Sequence, residues 1–415
     1  MILLRGRCRY CNSPISPRYA LVEIATAIAF VGIYDAFYIM KMHSWFGGFP
    51  FDMPIFVAHL SLIAILIVCS AIDIEYYLID IRITFVAFAI GMLCWAITPA
   101  EKLAAISSVS VINNSNFAGL MGAIIGFFIR NVMIKKNFGG EQDKSQDMKS
   151  EHIDNENVNI QAKSASVSTS AVSNKPAIIF LVIYFLGAIW IIFSLISADY
   201  SIDSYKLRMW EYCVWLFLAI IAGSIPRRQS DEQIIEAIEE EKYSARAVAF
   251  TELIYLTPII IGFIFFWLIA RYIPIATRLF HHILTLQIGI FAPIKGLAFS
   301  GMGILITSAF GWAVRIIFTL VFGKEAMGPG DIYILAAIGA IAGSAVAILG
   351  FFIGSVIGVF GICVLLLWKT SKALSYGPWI AIGAFVCMLG YNPIINYLKP
   401  AAKALSVVLL HNYGN

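Results

Sequence analysis

Apolar residues fill this chain in long, nearly uninterrupted blocks, separated by short segments where charged residues, Gly and Pro collect. A helical block of about 20 apolar residues matches the hydrocarbon thickness of a bilayer. Eleven blocks approach that length, near 19–40, 54–72, 82–98, 117–134, 177–197, 209–224, 251–272, 299–322, 332–348, 349–368 and 378–397. The pattern predicts an all-α polytopic membrane bundle of about eleven transmembrane helices. Two polar stretches break it. Residues 135–176 are rich in Ser, Asn, Asp, Lys and Gln, carry too little apolar surface to fold, and are expected to form a disordered loop. In 226–249, Ser230 and Gln233 resemble a capping box, and Ile234, Ile235 and Ile238 make a stripe against Glu236, Glu239, Glu240 and Glu241. That spacing predicts a short amphipathic helix at the membrane surface.

Composition agrees with the pattern. Of 415 residues, 60% are hydrophobic and 13% charged, and the mean hydropathy of +0.84 excludes an ordinary soluble domain. The net charge of +4 does not point to nucleic acid, because the basic residues fall at the ends of the apolar blocks. They set topology instead, since cytoplasmic loops collect Lys and Arg. Arg5, Arg7, Arg9 and Arg18 place the N-terminus inside, and alternate counting then places Arg82, Arg130, Arg227, Lys324 and Lys369 inside as well. Met1–Leu4 is too short for the apolar core of a signal peptide, so none is expected.

Against this background a few polar residues stand out. Asp73 abuts the inner end of the second block and Asp331 the inner end of the eighth, which puts both carboxylates at one membrane boundary. Carboxylates at such positions usually face protein or water, and they are often functional. Asp331 follows Gly328-Pro329-Gly330, where paired glycines would let an extended chain approach. Glu75 and Asp80 lie near Asp73 but read as loop acids capping the next span. His281 and His282 read as surface residues. Five cysteines, Cys69, Cys94, Cys213, Cys363 and Cys387, fall in apolar blocks and read as small buried hydrophobes. Cys8 and Cys11 form a Cys-x-x-Cys in a basic segment, which supplies two of the four ligands that structural zinc takes.

The order of these features resembles the type IV prepilin peptidases, aspartyl proteases of the bacterial inner membrane with a Gly-x-Gly-Asp motif. The matching residues are Arg5-Gly6-Arg7-Cys8 with Cys11, Ser16-Pro17-Arg18-Tyr19 with Leu21-Val22-Glu23, Ile72-Asp73, Glu325-Ala326-Met327-Gly328 with Gly330-Asp331, and Gly377-Pro378 with Ala381-Ile382-Gly383-Ala384. The resemblance implies that Asp73 and Asp331 are the catalytic pair and that Gly328 and Gly330 lie beside the substrate backbone. It implies a pilin-like precursor as partner, whose basic leader is cut just before its N-terminal apolar helix. No cofactor is implied for proteolysis, and no nucleic-acid partner. Zinc is implied only through Cys8 and Cys11, and N-methylation, which many members also perform, is not expected from a single Cys-x-x-Cys. The chain departs from the family pattern at Asp80-Ile81, where a Pro-Asp is usual, and at Tyr333, where a Lys is common.

The two aspartates are also 258 residues apart, more than the family usually shows. Residues 117–296 account for this as an inserted four-helix module between a first peptidase half, 19–98, and a second, 297–400. Residues 1–18 read as the tail of a longer cytoplasmic region and 401–415 as a C-terminal tail. Four inserted spans, being even in number, keep Asp331 on the side of Asp73. Two other readings compete. A presenilin-like protease shares the Gly-x-Gly-Asp motif but looks for a Pro-Ala-Leu that this sequence lacks. An inactive scaffold or transporter would keep the fold and not the chemistry.

Overall fold

The computed structural model describes residues 9–11, 18–42, 52–76, 79–107, 112–135, 190, 202–224, 245–367, 375–398 and 400. The chain is an all-α polytopic membrane protein. In order, the helices are α1 (Arg18–Tyr34, continued by a π-helical turn Asp35–Ile39), α2 (Met53–Tyr76), α3 (Ile81–Ala96), α4 (Ala100–Ser107), α5 (Asn114–Lys135), α6 (Ile202–Ser224), α7 (Ala245–Tyr272), α8 (Pro274–Leu284), α9 (Pro293–Phe322), α10 (Pro329–Ala342), α11 (Ser344–Leu367), α12 (Gly377–Leu389) and α13 (Tyr391–Leu398). Among the described residues β-structure is limited to two isolated bridges, Pro99 to Phe291 and Ile288 to Phe291.

The count of eleven spans is not reproduced. Among the described residues six helices are long and apolar enough to cross a membrane, or seven if α12 and α13, bent by 87° at Gly390, make one span. The block at 177–197 lies outside the described residues except for Trp190. The predicted break between 348 and 349 falls instead at Gly343, whose φ of 89° and ψ of 159° no helix accommodates. α10 is therefore only 14 residues long, about 21 Å at 1.5 Å per residue. It is short because it is enclosed by protein: every residue from Ile334 to Ala342 is buried.

Small residues make that enclosure close. A Cβ on Gly303 of α9 would lie 2.0 Å from the Gly339 oxygen of α10, and one on Gly383 of α12 would lie 2.0 Å from the Gly350 oxygen of α11. Backbones can approach this far only where both helices lack bulk, which is how helices gain packing energy in lipid. Ser300 Oγ and Trp95 Nε1 then donate to the Ala340 and Ile341 carbonyls, at 2.9 and 3.1 Å, and fasten α9 and α3 to α10. α2, α3, α9, α10, α11 and α12 thus surround one core. Cys69 and Cys387 are buried in it as expected, whereas Cys363 is exposed on the outward side of α11 with Phe352, Val356, Val359 and Phe360.

Within 117–296 the described helices pack on different neighbours. α6 lies against α1 and α12, while α5, α7 and α8 lie on the opposite flank against one another and α9. α6 is held by charge. Arg208 Nε donates to Asp35 Oδ2 at 2.9 Å, the Tyr212 hydroxyl donates to the same oxygen at 3.1 Å, and the pair is almost fully buried. Tyr205 adds a bond to the Leu389 carbonyl at 2.7 Å. The polar stretch 226–249 is described only from Ala245, where it is already the first turn of α7; the loop 135–176 lies outside the described residues beyond Lys135. His281 and His282 are exposed in the last turn of α8.

Candidate active site

Asp73 sits in the last turn of α2, at the end of a helix that is apolar from Leu60 to Ile72 apart from Ser61 and Ser70. Asp331 sits in the first turn of α10. Pro329 opens that helix, where its missing N–H would have had no partner. Gly328 caps it in extended conformation (φ −65°, ψ 145°), and the Asp331 N–H reaches the Gly328 carbonyl at 3.2 Å. The unpaired amides of a helix N-terminus favour a negative charge there. Both carboxylates are buried, at 5% and 8% exposure, and both lie at the same end of the bundle. None of α5 to α8 separates them, because α10 packs directly on α2 and α3.

The start of α12 brings the two together. Asp73 Oδ2 accepts a 2.6 Å hydrogen bond from Ser375 Oγ and a 2.9 Å bond from the Gly377 N–H. A Cβ on Gly377 would stand 2.6 Å from that same oxygen and 3.2 Å from Ile334, one turn beyond Asp331. Only glycine admits this approach. The Asp73 charge acts on Asp331, and the Asp331 charge reaches the Tyr376 phenol, which is itself hydrogen-bonded to Ser355 of α11. Two acids from distant segments thus both lie near the first turn of α12, which bonds Asp73 and abuts Ile334, one turn beyond Asp331.

The neighbouring glycines differ from each other. A Cβ on Gly330 would meet Ile79 Cβ at 2.8 Å, so the connection after Asp73 fills that space. A Cβ on Gly328 would meet the Asp331 carboxylate at 3.5 Å and, among the described residues, nothing closer beyond its chain neighbours. Asp80 caps α3, accepting from the Arg82 N–H at 2.9 Å, in agreement with its reading as a capping acid. Cys11 is exposed and Cys8 lies outside the described residues. Two thiols leave a tetrahedral zinc site half built, and among the described residues no group of three or more His, Cys, Asp or Glu completes one.

Ser375 and Arg315 were not singled out in the sequence, and Gly377 was read there only as part of the resemblance. Ser375 and Gly377 acquire their roles only through contact with α2. Arg315 did carry a signal, as the one charge in the block 299–322. It is buried, and its guanidinium bonds Glu252 of α7, Glu325 and the Met327 carbonyl in the connection leading to Asp331. Beside Asp73, a cavity of about 540 Å³ opens between α1, α2, α6 and α12. Its walls include Ile63, Leu66, Ile67 and Phe385, with Glu23 and Glu75 at the Asp73 end.

Comparison with known proteins finds similarity over part of the chain. The model of the bacterial peptidase A24 N-terminal domain matches residues 1–37. A prepilin leader peptidase/N-methyltransferase of Stutzerimonas stutzeri is 38% identical over 92 residues, 21% of this chain and 32% of that protein. Proteins of the same name from Pseudomonas aeruginosa and Aeromonas salmonicida (strain A449) are 33% identical over 111 residues and 35% over 89, covering 25% and 21% of this chain and 38% and 31% of theirs. The chain thus spans about a third of the length of the curated relatives it matches. No solved structure matches it. The N-terminal domain match and these relatives agree with one another: over the matched segments the chain is similar to the prepilin leader peptidases.

Proposed function

We propose that this protein is a membrane-embedded aspartic endopeptidase that removes the basic leader from type IV prepilin-like precursors at the cytoplasmic face of the inner membrane. The observation that carries the reading is the meeting of Asp73 and Asp331. Separated by 258 residues, they are buried at one end of the bundle, where the start of α12 bonds Asp73 and abuts Ile334, one turn beyond Asp331. Two carboxylates so placed do not both ionise readily and hold one proton between them. One then activates water while the other, protonated, polarises the scissile carbonyl. Ser375 Oγ and the Gly377 N–H orient Asp73 and stabilise its charged form. Gly328, in extended conformation beside Asp331, offers backbone for a substrate strand, whereas Gly330 serves by letting Ile79 pack close. The apolar cavity with Glu23 and Glu75 at its Asp73 end suits an apolar helix preceded by basic residues. The basic N-terminal segment, by the positive-inside rule, supports a cytoplasmic position for this end of the bundle.

The test is leader cleavage of a prepilin-like precursor co-reconstituted with the full chain. Asp73→Asn and Asp331→Asn are each expected to abolish product while leaving the protein folded. A scaffold or transporter that kept only the fold would give the same processing with either variant as with the parent chain.

A further inference from the structure

The charge network around Arg315 joins the inserted segment to the connection that carries the candidate catalytic acid. Arg315 lies on α9, two turns before the end of the helix, and it is buried at 7% exposure. Its Nε and Nη2 reach the Glu252 carboxylate of α7 at 3.0 and 2.9 Å. The remaining nitrogen, Nη1, donates to both Glu325 and the Met327 carbonyl. Those two residues lie in the short connection from Gly323 to Gly328, immediately before Asp331. The connection has few other ties. Thr319 Oγ1 accepts from the Ala326 N–H at 3.2 Å, and Met327 tucks its side chain into the core. Gly323 ends α9 at φ 67°, with the Arg246 guanidinium of α7 close enough that a Cβ would meet it at 3.3 Å. α7 thus touches this connection at both of its ends, directly through Arg246 and through Arg315.

We propose that Arg315 is a positioning residue that holds the 323–328 connection, and hence Asp331, in register with Asp73, and that Glu252 of the inserted α7 holds Arg315 in turn. The planar guanidinium is suited to this because it binds a carboxylate through two nitrogens and still has a donor for a carbonyl. The insert, on this account, acts on the site without contributing to the reacting atoms. The inference rests on the peptidase reading for its kinetic part only.

The experiment uses the full chain in proteoliposomes with three variants, Arg315→Ala, Arg315→Lys and Glu252→Gln, and two readouts. The first is leader cleavage resolved into kcat and KM; the second is hydrogen exchange of the amides from Gly323 to Asp331. Misplacing a catalytic group by about 1 Å costs on the order of 100-fold in rate, so Arg315→Ala is expected to lower kcat by about that factor with KM little changed. Lys keeps the charge and one donor direction, so Arg315→Lys is expected to recover part of kcat. Glu252→Gln, distant from the substrate, should lower kcat several-fold and speed exchange across the connection. Unchanged exchange in both Glu252→Gln and Arg315→Lys overturns the proposal, as does a loss that appears only in KM or only in the amount of folded protein. If Arg315→Ala does not fold, the other two variants decide. If the parent chain cleaves no precursor, the peptidase reading fails and the exchange measurement alone decides whether the clamp exists.

Discussion

At the scale of single residues, the site depends on groups that matter because of what they abut. Ser375 Oγ and the Gly377 N–H both donate to Asp73 Oδ2. A hydrogen bond to a charged group contributes about 1.5–3 kcal/mol, so Ser375→Ala should slow cleavage by roughly tenfold or more without unfolding the protein. Gly377→Ala is expected to be more severe, since its Cβ would stand 2.6 Å from the Asp73 oxygen it must leave room for. Rate assays on purified variants, with thermal melting to confirm folding, check both. Asp73 and Asp331 were legible in the sequence because a carboxylate at the end of an apolar block is costly wherever it does not serve a purpose. Ser375 was not, because a serine before a span has many uses. Gly330 was legible as a glycine that needs close approach, but the sequence could not say that Ile79 would be what approaches.

At the scale of helices, glycines and buried ion pairs divide the work. The Gly303–Gly339 and Gly350–Gly383 contacts bring α9, α10, α11 and α12 together around the site. The Arg208–Asp35 pair instead pins α6 to α1 at a distance from the chemistry. Removing one partner of a buried pair leaves a charge unpaired at a cost of about 3–5 kcal/mol, so Arg208→Ala should lower the melting temperature in detergent markedly. The double variant Asp35→Leu with Arg208→Leu is expected to recover much of that loss, because it leaves no orphan charge. Failure of the double variant to recover would show that the geometry of the pair, and not its charge balance, holds α6. Periodicity and length predicted most of these helices well. Their ends were less legible, as Gly343 shows: a glycine inside an apolar run either continues a helix or breaks it, and which it does depends on the neighbours it meets.

At the scale of the whole molecule, the large separation of the aspartates along the chain does not separate them in space. Among the described residues, α6 lies against α1 and α12, while α5, α7 and α8 lie against one another and α9. The sidedness proposed for this bundle can be checked directly. Tyr76, exposed at the end of α2 beside the site, should be labelled as Tyr76→Cys by a membrane-impermeant maleimide from the cytoplasmic side only, in a background lacking Cys8, Cys11 and Cys363. Labelling from the opposite side would reverse the orientation and remove the site from the face where leaders are presented.

The sequence by itself determined that the chain is a helical membrane protein, because apolar blocks of this length have no other stable form in a bilayer. It also identified two carboxylates and the glycines beside one of them, because burying charge in such a setting is expensive enough to leave a visible exception. Which helix touches which was decided by the tertiary structure alone. Packing between apolar helices turns on shape at individual small residues, and no pattern of hydropathy records that Gly377 will face Asp73 or that Glu252 will reach Arg315.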